Sequence, residues 1–250
     1  MKVATDGLVI REQYTGESDR IVTLLTREFG IVRAFATGAR NIKNRNHAAT
    51  QLLSYGRFVL YQKKDVCRVG EAEPIALFFE LRDDIEKISL AQYFCELCGA
   101  VAPEGVDCTD YLSLTLNSLK LIIDAKIPLK QIKSVYELYI LALSGYMPDL
   151  SCCSRCQKTD SSFLLDYKEG CIVCADHISV YDINVFNSGY GSITNGALAA
   201  MRYILSSEIK KAFSFALSDQ SLENLKTVSE SYLKTQLERS FKTLDFYNTL

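Results

Sequence analysis

The sequence predicts an α+β multidomain chain: a small N-terminal β-barrel, then a mainly α-helical domain that carries an inserted metal-binding segment. Three observations predict it. Short β-branched and aromatic runs, separated by glycines, fill residues 1–80. Apolar residues at helical spacing take over after Pro74. Cys153-Ser-Arg-Cys156 is followed, after seventeen residues, by Cys174-Ala-Asp-His177. The expected boundaries are 1–80 for the barrel, 81–250 for the helical domain and 151–178 for the metal segment. With 48% hydrophobic and 23% charged residues the chain can build a sizeable core.

The barrel strands are read at Leu8–Ile10, Ile21–Leu25, Ile31–Thr37, Arg57–Tyr61 and Val66–Val69, with Gly7, Gly16, Gly30, Gly38, Gly56 and Gly70 between or beside them. The first helix carries Leu90, Tyr93, Phe94, Leu97, Cys98 and Val101, with Ser89 as its expected N-cap. The second carries Leu112, Leu116, Leu119 and Ile123. The third carries Ile132, Val135, Tyr136, Tyr139, Ile140 and Leu143, and should stop at Gly145. Cys95 and Cys98 fall inside the first of these apolar stripes and read as buried reduced thiols. Phe163–Tyr167 reads as a strand inside the metal segment. Two more helices are expected, one from Leu198 through Phe213 and one from Leu225 through Leu244.

Two pairs of ligands, each separated by two residues, are what a tetrahedral Zn²⁺ site needs: each turn supplies one edge of the tetrahedron. Cys153, Cys156 and Cys174 belong to every version of the site. The fourth ligand is His177 or Cys171, because Cys171 also precedes Cys174 by three. Spacing favours the later pair and thiolate softness the earlier one. Cys152 is read as a bystander. Four protein ligands leave no open coordination position, so the metal is expected to be structural.

Enzymatic chemistry is hard to build from what remains. The chain has two histidines, and His47 is the one left if His177 binds metal. A Ser-His-Asp or Cys-His arrangement is therefore not expected. There is no Gly-x4-Gly-Lys-Ser/Thr loop, no His-Glu-x-x-His and no zinc-deaminase signature. Gly189-Tyr-Gly191-Ser-Ile-Thr-Asn-Gly196 has the wrong spacing for a nucleotide loop, and the polar stretch from Asn187 to Gly196 that contains it reads as a flexible linker. Nine cysteines without an export signal point to a reduced, cytoplasmic protein. No apolar run approaches a membrane span.

The net charge is −2, but it is unevenly spread. Between Arg27 and Arg68 there are nine basic and two acidic residues, a local +7 that leaves −9 for the remainder. Such a basic unit is a candidate polyanion-binding surface. Small barrels that bind single strands combine Lys/Arg along the backbone path with aromatic stacking faces. The candidate cations are Arg20, Arg33, Arg40, Lys43, Arg45, Arg57, Lys63, Lys64 and Arg68. Phe35, Tyr55, Phe58 and Tyr61 are candidate stacking faces, although barrel-core packing competes for each. The stretch from Gly38 to His47 is polar and aperiodic and reads as a mobile basic loop.

Gly7-Leu-Val-Ile-Arg11, Tyr14 with Glu17-Ser-Asp19-Arg20-Ile-Val-Thr-Leu-Leu-Thr26-Arg-Glu-Phe-Gly30, and Ala36-Thr-Gly38-Ala-Arg40 resemble the N-terminal region of the bacterial recombination-mediator family RecO. Gly145-Tyr-Met-Pro148-Asp-Leu150, Cys153-x2-Cys156 and Glu169-Gly170-Cys-Ile-Val-Cys174 resemble its zinc segment, and the run from Tyr232 to Phe246 its last helix. The resemblance implies an OB-fold barrel, a helical domain and a structural zinc. It implies no enzymatic activity but binding of single- and double-stranded DNA, annealing, and recombinase loading onto DNA coated by single-strand-binding protein, at the nucleoid. RecR and the C-terminal tail of single-strand-binding protein would be the partners. Laid on the family pattern, Cys171 takes the place of a glycine and His177 that of the fourth ligand, a Cys-to-His change that Zn²⁺ tolerates. The other reading of the same features is a protein-interaction adaptor with a structural zinc and no direct DNA contact.

Overall fold

The structure is a computed structural model that describes residues 1–63, 66–178 and 189–250. Five strands close a barrel: β1 (Lys2–Thr15), β2 (Asp19–Thr26), β3 (Gly30–Ala36), β4 (Tyr55–Lys63) and β5 (Val66–Ala76), in the order β1-β2-β3-β5-β4 and back to β1. This is an OB-fold-like barrel. All pairings are antiparallel except β3 with β5, which is parallel.

The longest strand makes closure possible. The N-terminal half of β1 pairs with β4, from Lys2↔Tyr61 to Leu8↔Tyr55. Its C-terminal half pairs with β2, from Gly7↔Thr26 to Thr15↔Asp19. The register slips between Val9 and Arg11, and such an irregularity bends a strand and increases its twist. The sequence shows only Leu8–Ile10 of this strand, because its ends are polar on the outer face. Val9, Val22, Leu24, Ala34, Ala36, Phe58 and Leu60 point inward and fill the barrel.

The connection from β3 to β4, residues 37–54, is not the mobile loop expected from its polarity. It is a series of hydrogen-bonded turns: Asn44 N–H to Asn41 O at 2.9 Å, His47 N–H to Asn44 O at 2.9 Å, Thr50 N–H to Asn46 O at 3.1 Å. The asparagine side chains that make it look loop-like also brace it. Asn44 Oδ1 accepts from Asn46 N–H, and Asn46 accepts from Ala72 N–H and donates to Gly70 O on β5.

Three helices follow the barrel: α1 (Ile85–Val101), α2 (Thr109–Asp124) and α3 (Leu129–Leu143). The N-cap of α1 is Asp84, not Ser89. Its carboxylate accepts from Glu86 N–H and Lys87 N–H at 2.9 and 3.1 Å, and Ser89 instead bonds back to Ile85 O within the first turn. The buried face of α2 runs through Leu112, Thr115, Leu119 and Ile122, so Leu116 and Ile123 lie at its margin. Residues 1–123 and 241–250 form one compact unit, and 124–240 form a second.

The second unit holds α3, α4 (Asn195–Ser206), α5 (Asp219–Leu237) and a three-stranded sheet in the order β7-β6-β8. Its strands are β6 (Phe163–Asp166), β7 (Cys171–Cys174) and β8 (Tyr190–Ile193). Part of the segment read as a linker is thus strand β8; Asn187 and Ser188 lie outside the described residues. The helix expected through Phe213 stops at Ser206, where Ser207 turns extended. The last expected helix is two: Glu238 adopts a left-handed conformation (φ 46°) and separates α5 from α6 (Lys242–Tyr247). The first unit receives α6, where Phe241 packs edge-on against Tyr93 of α1 and Glu96 accepts from Thr243 N–H.

α3 and α5 pack face to face around a buried charge network. Lys133 Nζ, with a fully buried side chain, lies 2.8 Å from both Glu137 Oε1 and Glu230 Oε2. Lys234 also reaches Glu230 at 2.8 Å, and Ser229 Oγ donates to Glu137 Oε2 at 2.7 Å. Burial alone would raise the Glu230 pKa, but Lys133 and Lys234 outweigh it and hold the carboxyl near 2. Burial lowers the Lys133 pKa, but Glu137 and Glu230 reverse this and hold it above the usual lysine value.

Two predictions follow from these contacts. The depressed Glu230 value means that its stabilisation is complete above pH 4.5 and is lost as pH falls towards about 2. The raised Lys133 value means that its share is complete below pH 10.5 and is lost only at higher pH. Thermal unfolding followed from pH 7 to pH 2 should lose an acid-sensitive increment in Glu230→Gln. Lys133→Ala should cost about 3–5 kcal/mol by removing the buried ammonium that Glu137 and Glu230 share, against about 1 kcal/mol for Asp84→Ala, both read by denaturant titration.

Candidate nucleic-acid interface and metal centre

Strand parity decides which basic residues of the barrel face solvent. Arg33 and Phe35 alternate with buried Ala34 and Ala36 on β3, so both point outward. Register carries that outer face across the sheet. Arg11 opposes Thr23, which opposes Arg33; Phe35 opposes Arg68, which opposes Tyr61, which opposes Lys2. Arg57 is exposed on β4 and pairs with Asp6 at 3.1 Å, and Lys63 is exposed at the end of β4. Lys64 lies outside the described residues.

The β3–β4 connection presents Arg40, Lys43 and Arg45 to solvent. The Arg40 guanidinium lies 4.5 Å from the centre of the Tyr14 ring and donates to Gly16 O at 3.3 Å. Arg45 donates to Gly70 O and lies 3.4 Å from Glu71. Exposed pairs of this kind contribute at most about 1 kcal/mol, so a phosphate can displace the carboxylate.

Arg20 departs from the expected role. Its side chain is buried, with the residue 5% exposed, and its guanidinium donates to His47 O at 3.0 Å and Thr50 Oγ1 at 3.3 Å while lying 3.6 Å from Glu12. It ties the β3–β4 connection to the barrel instead of facing a ligand. The aromatics sort in the same way. Phe58 is in the core and Tyr55 is half-buried, whereas Phe35 and Tyr61 are 41% and 43% exposed. Lys2 and Arg11 share the outer face but fall outside the Arg27–Arg68 window that the charge count singled out. No alternation marks Arg11, because Leu8, Val9 and Ile10 before it are all buried; only its register with Thr23 places it on the outer face.

The candidate metal centre lies in the second unit. Cys153, Cys156, Cys174 and His177 bring their ligand atoms within 4.8 Å of one another. Cys153 opens a tight turn: Gln157 N–H bonds to Cys153 O at 2.9 Å, and Gln157 takes a positive φ of 63°. The 149–154 segment runs beside β7, with Asp149 N–H on Gly170 O and Ser154 N–H on Ile172 O. Gly170 closes the β6–β7 hairpin with φ 65°, a conformation that suits glycine. Cys174 ends β7, and His177 ends the 3₁₀ turn Ala175–His177.

Two of the ligand–ligand distances match edges of a tetrahedral site. Cys156 Sγ and Cys174 Sγ lie 3.7 Å apart, and Cys153 Sγ and His177 Nδ1 lie 3.6 Å apart. Bonds of about 2.3 Å to sulfur and 2.05 Å to nitrogen give tetrahedral edges of about 3.8 and 3.6 Å. Burial opposes ionisation of Cys153. The N–H groups of Cys174, Cys156 and Arg155, together with His177, outweigh it and bring the thiol down to about 5. Arg155 also donates to His177 O at 2.7 Å and steadies the second turn. Cys171 is at the opposite end of β7, paired with Asp166 and about 10 Å along the strand from Cys174. Cys152 turns to Gln157 Oε1 at 3.1 Å.

Two family models match the chain. The one described as Recombination protein O N terminal covers residues 1–78, and Recombination protein O C terminal covers 82–245. The DNA repair protein RecO of Acetivibrio thermocellus is 35% identical over 250 residues, covering 98% of this chain and 96% of that one. RecO of Symbiobacterium thermophilum is 31% identical over 252 residues, with 98% and 96% covered. RecO of Alkaliphilus metalliredigens is 29% identical over 247 residues, with 98% of each covered. Among the described residues no helix is long and apolar enough to cross a membrane.

The four-residue geometry makes a specific forecast about metal content. Purified wild type should carry about one ion per chain. Cys174→Ser and His177→Ala should lose most of it, and Cys171→Ser should keep it, all read by elemental analysis of the purified proteins. Loss of metal from Cys171→Ser with retention in His177→Ala would overturn the assignment.

Proposed function

The chain belongs to the RecO family of DNA repair proteins, and from that premise we propose a non-enzymatic recombination mediator that binds DNA on the outer face of its barrel. The observation that carries this reading is the set of exposed cations on one barrel and its β3–β4 connection: Arg33, Arg40, Lys43, Arg45, Arg57, Lys63 and Arg68. Neutralising phosphates on two strands at once lowers their mutual repulsion and holds them close enough to pair, which is annealing without bond chemistry. The same surface engages single strands and duplex. Loading of recombinase onto DNA coated by single-strand-binding protein, with RecR and that protein's C-terminal tail as partners, completes the role at the nucleoid in the cytoplasm.

In this reading residues 1–80 are the nucleic-acid-binding domain and 81–250 the helical domain, with the zinc segment at 151–178. Zn²⁺ at Cys153, Cys156, Cys174 and His177 would be structural. The ion would join the 153–156 turn to the end of β7 and so replace with metal bonds a core that so short a segment cannot supply.

Electrostatic binding has a salt signature. The slope of log affinity against log salt is about 0.7 per neutralised phosphate for single strands and about 0.9 for duplex. Titration of fluorescent DNA by anisotropy at several salt concentrations should show steeply falling affinity. Arg40→Glu with Lys43→Glu should lower the single-strand slope by about 1.4. A flat salt dependence, or binding undisturbed by the charge reversal at every salt concentration, would count against the reading.

A further inference from the structure

Exposed cations explain affinity for any polyanion, but they do not explain two large aromatic rings left in water beside them. Single exposed apolar residues are common on protein surfaces. What sets Phe35 and Tyr61 apart is register. Phe35 on β3 opposes Arg68 on β5, and Arg68 opposes Tyr61 on β4. The two residues therefore stand in one transverse row with Arg68 between them, two strand spacings or about 10 Å apart along the backbone.

The row continues with cations. Lys2 opposes Tyr61, with its ammonium 5.8 Å from the ring centre, and Arg33 stands two residues from Phe35 on the same face. No carboxylate occupies the row from Ile21 through Phe35, Arg68 and Tyr61 to Lys2. Tyr61 is also held in place: a Cβ added at Gly70 would overlap its ring, so the ring lies directly on the β5 backbone where that backbone has no side chain. A ring fixed in this way loses little rotamer freedom when a ligand stacks on it.

Single-stranded DNA offers flat base faces and phosphates together, whereas a duplex hides its base faces inside the stack. We propose that the row Phe35–Arg68–Tyr61 is a stacking platform for the bases of single-stranded DNA, and that it sets the barrel's preference for single strand over duplex. Bases lie on Phe35 and Tyr61, and phosphates on Arg68, Arg33 and Lys2. Duplex binds through the cations alone. This inference rests on the DNA-binding reading above and assigns the strand selectivity within it.

The chain contains no tryptophan, which gives a direct test. Phe35→Trp or Tyr61→Trp places a single indole in the row while keeping an aromatic ring. Titration with oligo(dT) should quench that indole in step with the anisotropy of the bound oligonucleotide. Duplex at the same occupancy should leave the emission nearly unchanged. Phe35→Ala and Tyr61→Ala should each weaken oligo(dT) binding about tenfold, with duplex affinity and both salt slopes unchanged because no charge is removed. Tyr61→Phe should behave as wild type.

Binding of oligo(dT) without quenching in either tryptophan variant would overturn the platform while leaving DNA binding intact. So would an equal loss for single strand and duplex in the alanine variants. The tryptophan variants decide the matter even where an alanine variant unfolds. Absence of any DNA binding by wild type at low salt would instead remove the underlying reading.

Discussion

The barrel depends on one strand being hydrogen-bonded along both edges. β1 pairs with β4 over its first half and β2 over its second, and this shared strand closes the sheet. Closure, completed by the pair Phe35↔Arg68 between β3 and β5, also fixes parity around the circumference. A slip of one residue would exchange the inner and outer sets. Val9, Val22, Leu24, Phe58 and Leu60 would reach water, and Arg33, Phe35 and Arg68 would turn into the core. The hydrophobic filling of the barrel and the chemistry of its outer face are therefore one decision, made by the pairing of β1.

The second unit solves a different problem. Its sheet has three strands of four residues each, too short to bury much apolar surface. The Cys153–Cys156 turn is held against β7 by backbone bonds from Asp149 and Ser154, and the four ligand atoms gather where the turn and the strand meet. Elsewhere in the unit, Lys133 answers carboxylates on two helices. A buried charge that must meet its partners specifies how α3 and α5 face each other, although a hydrophobic pair would pack there at lower desolvation cost. Geometry in this unit is set by directional bonds more than by volume.

The chemistry-bearing features were legible where local pattern and final environment agree. The five barrel strands show as β-branched runs, and the residues that gather in the Cys153–His177 cluster as paired Cys/His spacings. What escaped the sequence was decided at longer range. Polar residues of β1 belong to a strand because β4 and β2 flank them. Asp84 caps α1 because its carboxylate reaches two N–H groups, and Ser89 five residues later is equally plausible on type alone. β8 exists because β6 offers an edge to Tyr190–Ile193. Arg20 reads as a surface cation in any charge count, and only the position of His47 and Thr50 shows that it is an internal strut. Glu238 carries no signal of the left-handed turn that splits the last helices.

The braced connection between β3 and β4 also bears on how this surface can change over evolutionary time. Long loops are where chains usually accept insertions and deletions. Here Arg20 holds the connection at His47 and Thr50 and the neighbouring Asn46 clasps β5, so a residue added within 46–50 would break bonds at these anchorages. The anchored stretch 46–50 is thereby constrained in length, while Arg40, Ile42, Lys43 and Arg45 stand exposed just before it. The barrel can thus retune its charge by exchanging side chains at 40–45 one at a time, beside a stretch that its own bonds hold in place.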